Sequence, residues 1–390
     1  MSVTAPRGFR AAGVACGLKA SGGLDLSLVA TEDGAPTPAA AVFTANLAPA
    51  APVQVSRAHL AASGGHAAAV VLSSGNANAA TGARGVADAE RMCALVAEGL
   101  ATDPSNVLVC STGLIGIPLP IEVVASGVGP LVKALATGTD GGVTAAEAIM
   151  TTDTVRKEAV VVGDGFTVGA MAKGAAMLAP RLATMLAVLT TDAATSPATL
   201  AGALQEAVAG SFNRLSVDGC TSTNDTVIVL ANGASGQQVS EKQLSEAMGE
   251  ACGQLAQSMA RDAEGATRVL RVMVTGAVSD AEAHRAARKV ADSLLVKCSI
   301  NGADPYWGRV VSELGSAEVA FDPDKVEVSY GGVVVCRRGV AVDHDAEALA
   351  VHMAGRWVDL ECRLGLGPGT GAVLGTDLGY GYIDENRTTS

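Results

Sequence analysis

The segment Lys173–Thr191 reads KGAAMLAPRLATMLAVLTT. In it, a loop containing Pro180 leads to Ala183-Thr184, and the apolar run Met185–Leu189 predicts a buried strand. If the chain were cut before Thr184, that residue would carry both a hydroxyl nucleophile and a free α-amine. The reference pKa of an α-amine is about 7.7–8.0, so near neutral pH the amine can serve as the base for the hydroxyl. An Ala-Thr pair before a strand is also an ordinary junction, so the segment alone leaves both interpretations open.

Composition bounds the kind of protein in which this segment lies. The chain has 390 residues, of which 49% are hydrophobic and 17% charged, so we expect two or more domains with large cores. The formal net charge of −12 argues against a nucleic-acid partner, because phosphate binding needs a basic surface. The N-terminus lacks the apolar region of a signal peptide, and no uncharged apolar stretch reaches about 18 residues. The sequence therefore predicts a cytoplasmic protein with no membrane segment.

Cysteine and histidine usage predicts no metal site. The eight Cys are scattered without a CxxC pair, which is typical of reduced, mostly buried thiols. None of the five His lies in HExxH or another metal-ligand spacing. We interpret these His as surface or core residues.

Apolar runs alternate with helical patterns along the chain, which predicts an α/β protein of layered sheets and helices. The clearest predicted strands are residues 66–72, 107–110, 226–230 and 269–274. Predicted helices cover residues 87–100 and 281–291, and another follows the capping box at Ser240–Gln243. A weakly marked boundary near residue 280 predicts a smaller C-terminal α/β subdomain.

Small polar residues form dense clusters after several of the apolar strands. They occupy residues 73–78, 111–113, 150–154, 218–225, 304–309 and 386–390. Each cluster alone is typical of a turn, but α/β proteins also place their chemistry at strand ends. So many Thr-rich clusters in a chain poor in His favour a functional site. By contrast, the glycine-rich residues 365–371 contain Pro368 and precede no helix, so they predict a tight turn and not a phosphate-binding loop.

The clusters, in this order, resemble the ornithine acetyltransferase family of arginine biosynthesis, which consists of self-cleaving N-terminal-nucleophile enzymes. The motifs that carry the resemblance are SGNANAATG (74–82), STGLIG (111–116), MTTDT (150–154), LATML (182–186), STNDT (222–226), DAEGAT (262–267) and DPYWGR (304–309). Each motif alone is weak, whereas all seven in sequence order are specific. The resemblance covers nearly the whole chain and implies a layered αββα sandwich.

The resemblance also implies catalytic residues. Thr184 matches the family's nucleophile, which is freed when its hydroxyl attacks the preceding carbonyl and the Ala183-Thr184 bond opens. The products would be an α chain of residues 1–183 and a β chain of residues 184–390, assembled as an α2β2 heterotetramer. Residues 184–280 would complete the core, and 281–390 would form the subdomain. Thr112 and Gly113 match an oxyanion hole built from one hydroxyl and one backbone N–H.

The resemblance also implies substrate-binding residues. Thr151, Lys173 and Glu264 match substrate-binding positions, where Lys173 would pair with a carboxylate and Glu264 with an amino group. Asn386 and the terminal Ser390 match residues that grip the amino-acid end of the substrate. The tail NRTTS is one residue shorter than is usual in the family, so Thr389 is an alternative to Ser390.

The implied reaction is a ping-pong acetyl transfer from N2-acetyl-L-ornithine to L-glutamate through acetyl-Thr184, without metal or bound cofactor. Three alternatives stay open. A bifunctional enzyme would also take acetyl groups from acetyl-CoA, as an N-acetylglutamate synthase does. An N-terminal-nucleophile hydrolase or aminopeptidase would need no acceptor amino acid. An inactive binding paralogue would remain uncleaved.

Overall fold

The computed structural model describes residues 2–178 and 185–387. Their strands are, in chain order, β1 (Phe9–Val14), β2 (Leu26–Thr31), β3 (Thr37–Phe43), β4 (His66–Ala67), β5 (Ala69–Asn76), β6 (Val107–Leu114), β7 (Lys157–Val162), β8 (Thr167–Lys173), β9 (Leu186–Thr191), β10 (Leu215–Ser216), β11 (Thr226–Ala231), β12 (Val269–Ala277), β13 (Glu327–Tyr330), β14 (Val333–Arg337), β15 (Val340–Ala341), β16 (Trp357–Arg363) and β17 (Gly369–Thr376).

The helices of the same residues are α1 (Ala51–Ala62), α2 (Gly82–Leu100), α3 (Ile121–Ala134), α4 (Thr139–Ala148), α5 (Pro197–Gly210), α6 (Glu241–Arg261), α7 (Asp280–Asp292), α8 (Leu294–Asn301), α9 (Trp307–Gly315), α10 (Ala346–Ala354) and α11 (Tyr380–Asn386). None of the helices in the described part of the chain is long and apolar enough to cross a membrane. All eight Cys are free thiols.

Within the described residues, the first of two compact units contains residues 2–178, 185–213 and 220–259 and is built on two sheets. Strands β1-β2-β5-β6 form a four-stranded sheet, and β4-β3-β11-β9-β8-β7 form a six-stranded one. Both are mixed: β5 and β6 run parallel, as do β9 and β11, while the other neighbours are antiparallel.

Alternation of side chains shows how the layers of this unit pack. In β5, Val71 faces a core shared with helices α2 and α3, whereas Val70 and Leu72 face the second sheet, where Met171 and Val188 meet them. Because successive side chains of a strand point to opposite faces, a strand covered on both sides is apolar throughout. Helix α5 packs on β3 of the six-stranded sheet. The unit is a helix–sheet–sheet–helix sandwich, and the predicted α/β fold class is confirmed.

The second unit contains, of the described residues, 214–219 and 260–387. Its seven-stranded mixed sheet has the order β10-β17-β12-β16-β13-β14-β15, and helix α7 packs on β12 and β17. Val272, Val274 and Val290 belong to its apolar core. This unit begins before the predicted 281–390 subdomain and includes β12 as well. The division into chains at 183/184 and the inner boundary near 280 stay predictions.

Two of the predicted element boundaries are wrong for a shared reason. Residues 73–76 and 111–113, predicted as turns, lie within β5 and β6, because parallel pairing continues through them and joins Ser73 to Ser111 and Gly75 to Gly113. The helix predicted at 87–100 begins five residues earlier, at Gly82. The capping box is confirmed: the N–H of Gln243 donates to Ser240 Oγ at 3.3 Å, and the N–H of Ser240 donates to Gln243 Oε1 at 3.1 Å.

Candidate functional site

Three of the polar motifs meet at Asn224 in the first unit. The Asn224 side-chain amide donates to the Ala77 carbonyl at 2.6 Å and to the Ser111 carbonyl at 2.8 Å. Ser73 Oγ donates to Ser111 Oγ at 2.8 Å. A buried amide with both N–H groups bonded holds its partners in one arrangement. Segments far apart in sequence therefore form one polar cluster at the ends of β5, β6 and β11.

Thr112 and Lys173 lie together at this end of the sheets. Thr112 belongs to β6 and Lys173 is the last residue of β8, and the two are only 2% and 3% exposed. Lys173 Nζ lies 3.3 Å from Thr112 Oγ1. Because the ammonium is a donor only, the hydroxyl oxygen accepts from it, and the hydroxyl hydrogen is left to point at another acceptor. Lys173 is thus a buried cation at a strand end and not a solvated loop charge.

Gly113 follows Thr112 in a backbone conformation that suits glycine. Its φ is +134°, and a Cβ atom added to it would lie 2.4 Å from the carbonyl carbon of Gly75. A side chain at this position would have to displace the backbone of the neighbouring strand. The Thr112-Gly113 pair therefore places a buried hydroxyl next to an exposed glycine, and its role as an oxyanion hole stays a prediction.

Thr151 is half-buried and is joined through the carboxylate of Asp153 to Gly174, the residue that follows Lys173. The N–H of Thr151 donates to Asp153 Oδ2 at 3.1 Å, and the N–H of Gly174 donates to Oδ1 at 2.7 Å. Lys157 Nζ donates to the same Oδ1 at 2.6 Å, and neither side chain of this ion pair is exposed. Burial raises the pKa of Asp153, but the charges of Lys173 and Lys157 outweigh burial and lower it to about 2.

Asp225 lies beside the strand that follows the predicted nucleophile. Its Oδ1 accepts the N–H of Met185 at 3.0 Å, and its Oδ2 is buried without a hydrogen-bond partner among the described residues. Burial raises the pKa of Asp225 well above its usual range, and the Met185 N–H and the charge of Lys173 offset only part of that rise. A buried carboxyl group with a raised pKa therefore lies next to Met185, the residue that directly follows Thr184 in the sequence.

The second unit brings Glu264 and Asn386 together. Glu264 lies three residues beyond the end of α6 and is buried, and its Oε2 accepts the Asn386 side-chain amide at 2.8 Å. The next residue, Gly265, has φ +62°, and a Cβ atom there would lie 2.0 Å from the backbone nitrogen of Tyr382 in α11. Only glycine lets the last helix approach this turn so closely. Glu264 is consequently a partner of the C-terminal segment and not a helix terminator.

Three of the predicted residues lie outside the described part of the chain. They are Ala183 and Thr184 of the cleavage site and Ser390 of the tail, and the alternative Thr389 lies there as well. Within the described residues, Thr112, Gly113, Lys173 and Thr151 come together in the first unit, and Glu264 and Asn386 in the second.

Sequence reasoning gave no role to Asp153, Lys157 or Asp225. Each carboxylate occurs inside a motif that was quoted only as a marker, MTTDT or STNDT. Their position in the sequence could have pointed to a role, because Asp225 stands directly before the fully buried strand β11 and Lys157 at the start of β7. Charged residues next to buried strands are rare unless they are paired or functional.

Comparison with known proteins agrees with the resemblance read from the motifs. The model of the ArgJ family matches residues 10–388. The arginine biosynthesis bifunctional protein ArgJ of Mycolicibacterium paratuberculosis is 48% identical over 394 residues, covering 100% of this chain and 96% of its own length. The protein of that name from Thermobifida fusca is 46% identical, and the match covers 100% of this chain and 100% of that protein.

Two solved structures were also found. Ornithine acetyltransferase from Mycobacterium tuberculosis, complexed with ornithine, is 45% identical, with a TM-score of 0.42 over 46% of this chain and 94% of that chain. The ArgJ protein from Bacillus halodurans is 33% identical, with a TM-score of 0.48 over 51% of this chain and 96% of that chain. On the family model and the full-length relatives, the chain belongs to the ArgJ family.

Proposed function

We propose that this ArgJ-family acyltransferase moves an acetyl group from N2-acetyl-L-ornithine to L-glutamate through an ester on Thr184, after it has cleaved its own Ala183-Thr184 bond. The observation that carries the proposal is the buried contact of Thr112 with Lys173, next to Gly113. It presents a hydroxyl donor, a glycine backbone and a cation within one polar cluster. Together with a hydroxyl nucleophile, these are the groups that acyl transfer requires.

In the first half-reaction, Thr184 Oγ attacks the acetyl carbonyl while its own α-amine takes the hydroxyl proton. The Thr112 hydroxyl and the Gly113 N–H stabilise the negative oxygen of the tetrahedral intermediate, and removal of one such donor typically lowers the rate by about 10²–10³. The C–N bond then breaks, the α-amine returns the proton to the leaving ornithine nitrogen, and acetyl-Thr184 remains.

In the second half-reaction, the amino group of L-glutamate attacks the ester carbonyl. The C–O bond to Thr184 breaks, its oxygen regains a proton, and N-acetyl-L-glutamate leaves. Lys173 is suited to hold a substrate carboxylate close to the reacting carbonyl, since a buried ammonium is a strong partner for that group. Glu264 and Asn386 would hold the amino-acid end of the substrate, with Ser390 or Thr389 completing the grip. The enzyme is expected to work in the cytoplasm as an α2β2 assembly, without a metal or a bound cofactor.

Intact-mass analysis of the purified protein tests the proposal. Wild type is expected to give two fragments, one ending at Ala183 and one starting at Thr184. Incubation with N2-acetyl-L-ornithine should add about 42 Da, one acetyl group, to the second fragment, and L-glutamate should remove it. Thr184→Ala should stay uncut. An uncut wild-type chain, or a cut Thr184→Ala chain, contradicts the mechanism.

A second candidate function is favoured by the word bifunctional in the names of the relatives. In this case acetyl-CoA would also acetylate Thr184, and glutamate would then be acetylated without any acetylornithine. Thiol release from acetyl-CoA in the presence of L-glutamate measures this activity. Release of free acetate from acetylornithine in the absence of an acceptor would instead identify a hydrolase.

A further inference from the structure

A cavity of about 800 Å³ in the first unit lies next to Thr151. Its wall combines Lys19 and Ser21, from the loop between β1 and β2, with Thr151 and Asp153. The sequence motifs gave no role to the β1–β2 loop. A cavity of this size, with several polar groups on one side, is the kind of space that binds a small polar ligand.

Asp25 fixes the position of Lys19. Its carboxylate accepts four backbone N–H groups in a row, from Cys16 at 2.7 Å, Gly17 at 3.0 Å, Leu18 at 2.7 Å and Lys19 at 3.1 Å. Burial raises the pKa of Asp25, but these hydrogen bonds outweigh burial and lower it. The loop is therefore wrapped around a carboxylate with a lowered pKa, which holds the Lys19 backbone at the cavity wall through a hydrogen bond.

The side chain of Lys19 continues from this position toward strands β5 and β6. Its Cγ lies 3.4 Å from where a Cβ atom on Gly75 would be, and Gly75 is paired with Gly113. The charge of Lys173 also acts on Lys19. The ammonium of Lys19 is thus held on the same side of the unit as the predicted oxyanion hole.

The ammonium of Lys19 makes its hydrogen bonds to backbone carbonyl groups and not to a carboxylate. It donates to the Leu24 carbonyl at 2.5 Å and to the Ala148 carbonyl at 3.5 Å, so one of its three N–H donors is left over. No carboxylate lies within ion-pair distance of it in residues 2–178 and 185–387. Burial lowers the pKa of Lys19, and Lys173 adds to that effect, while Asp25 and Asp153 oppose it.

The other charges of the cavity wall are already paired. Arg156 donates to Glu158 at 2.8 Å and to Glu147 at 3.2 Å, and Asp153 holds Lys157. Among the described residues, Lys19 is therefore the cation in the cavity wall that can bind an anion without first breaking an ion pair. An anion that binds there gains a charge-assisted hydrogen bond at a half-buried site.

We propose that Lys19 binds the side-chain carboxylate of the acceptor amino acid in this cavity. The inference rests on the proposed function, in which L-glutamate is the acceptor. It adds a specificity residue to that function, because the donor's side chain ends in an ammonium group that Lys19 repels. Lys19 would thus favour glutamate over released ornithine in the second half-reaction.

The test separates the two half-reactions. The acetyl-enzyme is made with N2-acetyl-L-ornithine, and its deacetylation is followed with L-glutamate or with L-glutamine, which has the same shape but no side-chain charge. In Lys19→Met, which keeps the aliphatic stem, the KM for glutamate should rise about tenfold to a hundredfold while the rate with glutamine stays unchanged. Lys19→Arg should recover part of the preference for glutamate, and Lys242→Met, at an exposed position of α6, should behave as wild type.

Each outcome bears on a separate claim. Equal slowing with glutamate and glutamine, or an unchanged KM for glutamate, overturns the assignment of Lys19. If wild type never takes up the acetyl group, the proposed function fails instead. The cavity is then tested by calorimetry of L-glutamate with the Thr184→Ala chain, where loss of binding in Lys19→Met supports the site and equal binding overturns it.

Discussion

Asp153 and Asp225 are both buried carboxylates under the influence of Lys173, yet their environments are opposite. Asp153 accepts hydrogen bonds from the Lys157 ammonium and from two backbone N–H groups, and its pKa falls to about 2. Asp225 accepts the N–H of Met185 and has one oxygen without a partner in the described residues, and its pKa rises. Burial alone thus does not set the charge of a carboxylate; the number and charge of its donors decide.

The contrast assigns different work to the two residues. An ionised Asp153 ties the loop of Thr151 to the end of the Lys173 strand, which is a structural task at the border of the site. A raised pKa makes Asp225 hold a proton more readily, and a protonated carboxyl group beside Met185 can donate as well as accept a hydrogen bond. The following predictions test this difference. All are best measured in a Thr184→Ala background, in which every variant is expected to remain one uncleaved chain.

The largest expected effect is the loss of stability in Asp153→Ala. The change leaves the Lys157 ammonium buried without its carboxylate, which typically costs about 3–5 kcal/mol. Hydrogen exchange of β8 and β9 peptides, followed by mass spectrometry, should show a loss of protection of this order.

The matched control for that variant is Asp153→Leu combined with Lys157→Met. Replacing both charges by apolar groups removes the buried ammonium together with its carboxylate, so the double variant should be more stable than Asp153→Ala. A double variant that is as unstable as the single one would show that the buried charge of Lys157 is not the cause.

Acid should produce the next largest effect. Since the pKa of Asp153 is about 2 in the folded chain and 3.8 as the reference value, its contribution is present above pH 3.8 and is lost as the pH falls through about 2. The difference amounts to about 2 kcal/mol. The stability of the parent chain minus that of Asp153→Asn, measured between pH 5 and pH 2, should shrink by this order. A difference that is constant with pH would contradict the ionised state of Asp153.

Asp225→Asn should have the smallest effect, within about 1 kcal/mol at pH 7. The amide has nearly the same shape and keeps an oxygen that accepts the Met185 N–H, and burial, which raises the pKa of Asp225, disfavours the charge that the amide lacks. The sign of the pH dependence is opposite to that of Asp153. A raised pKa in the folded chain means that stability is fully present below the reference value of 3.8 and is lost as the pH rises through the folded pKa. Relative to its parent, Asp225→Asn should therefore gain stability as the pH rises. A loss of several kcal/mol at pH 7 would show that Asp225 is ionised and paired.

Much of the fold was predictable because its strands are local patterns. Apolar runs marked β5, β6, β9, β11 and β12, and the capping box marked the start of α6. The family resemblance identified Thr112, Gly113 and Lys173 as candidate site residues, and their roles stay predictions. Strand ends were not predictable, since Ser73 and Ser111 pair through backbone groups that carry no side-chain signal.

The sequence by itself determined the family, the α/β class and the dipeptide Ala183-Thr184 as the candidate nucleophile, because these depend on residue identity and order. Only the tertiary structure decided in which direction the pKa of each buried carboxyl group is shifted. Thr112 meets Lys173 across 61 positions of sequence, and Asp225 meets Met185 across 40. Such contacts set the solvation and the donors of each group, and therefore its pKa, through residues that no local pattern connects.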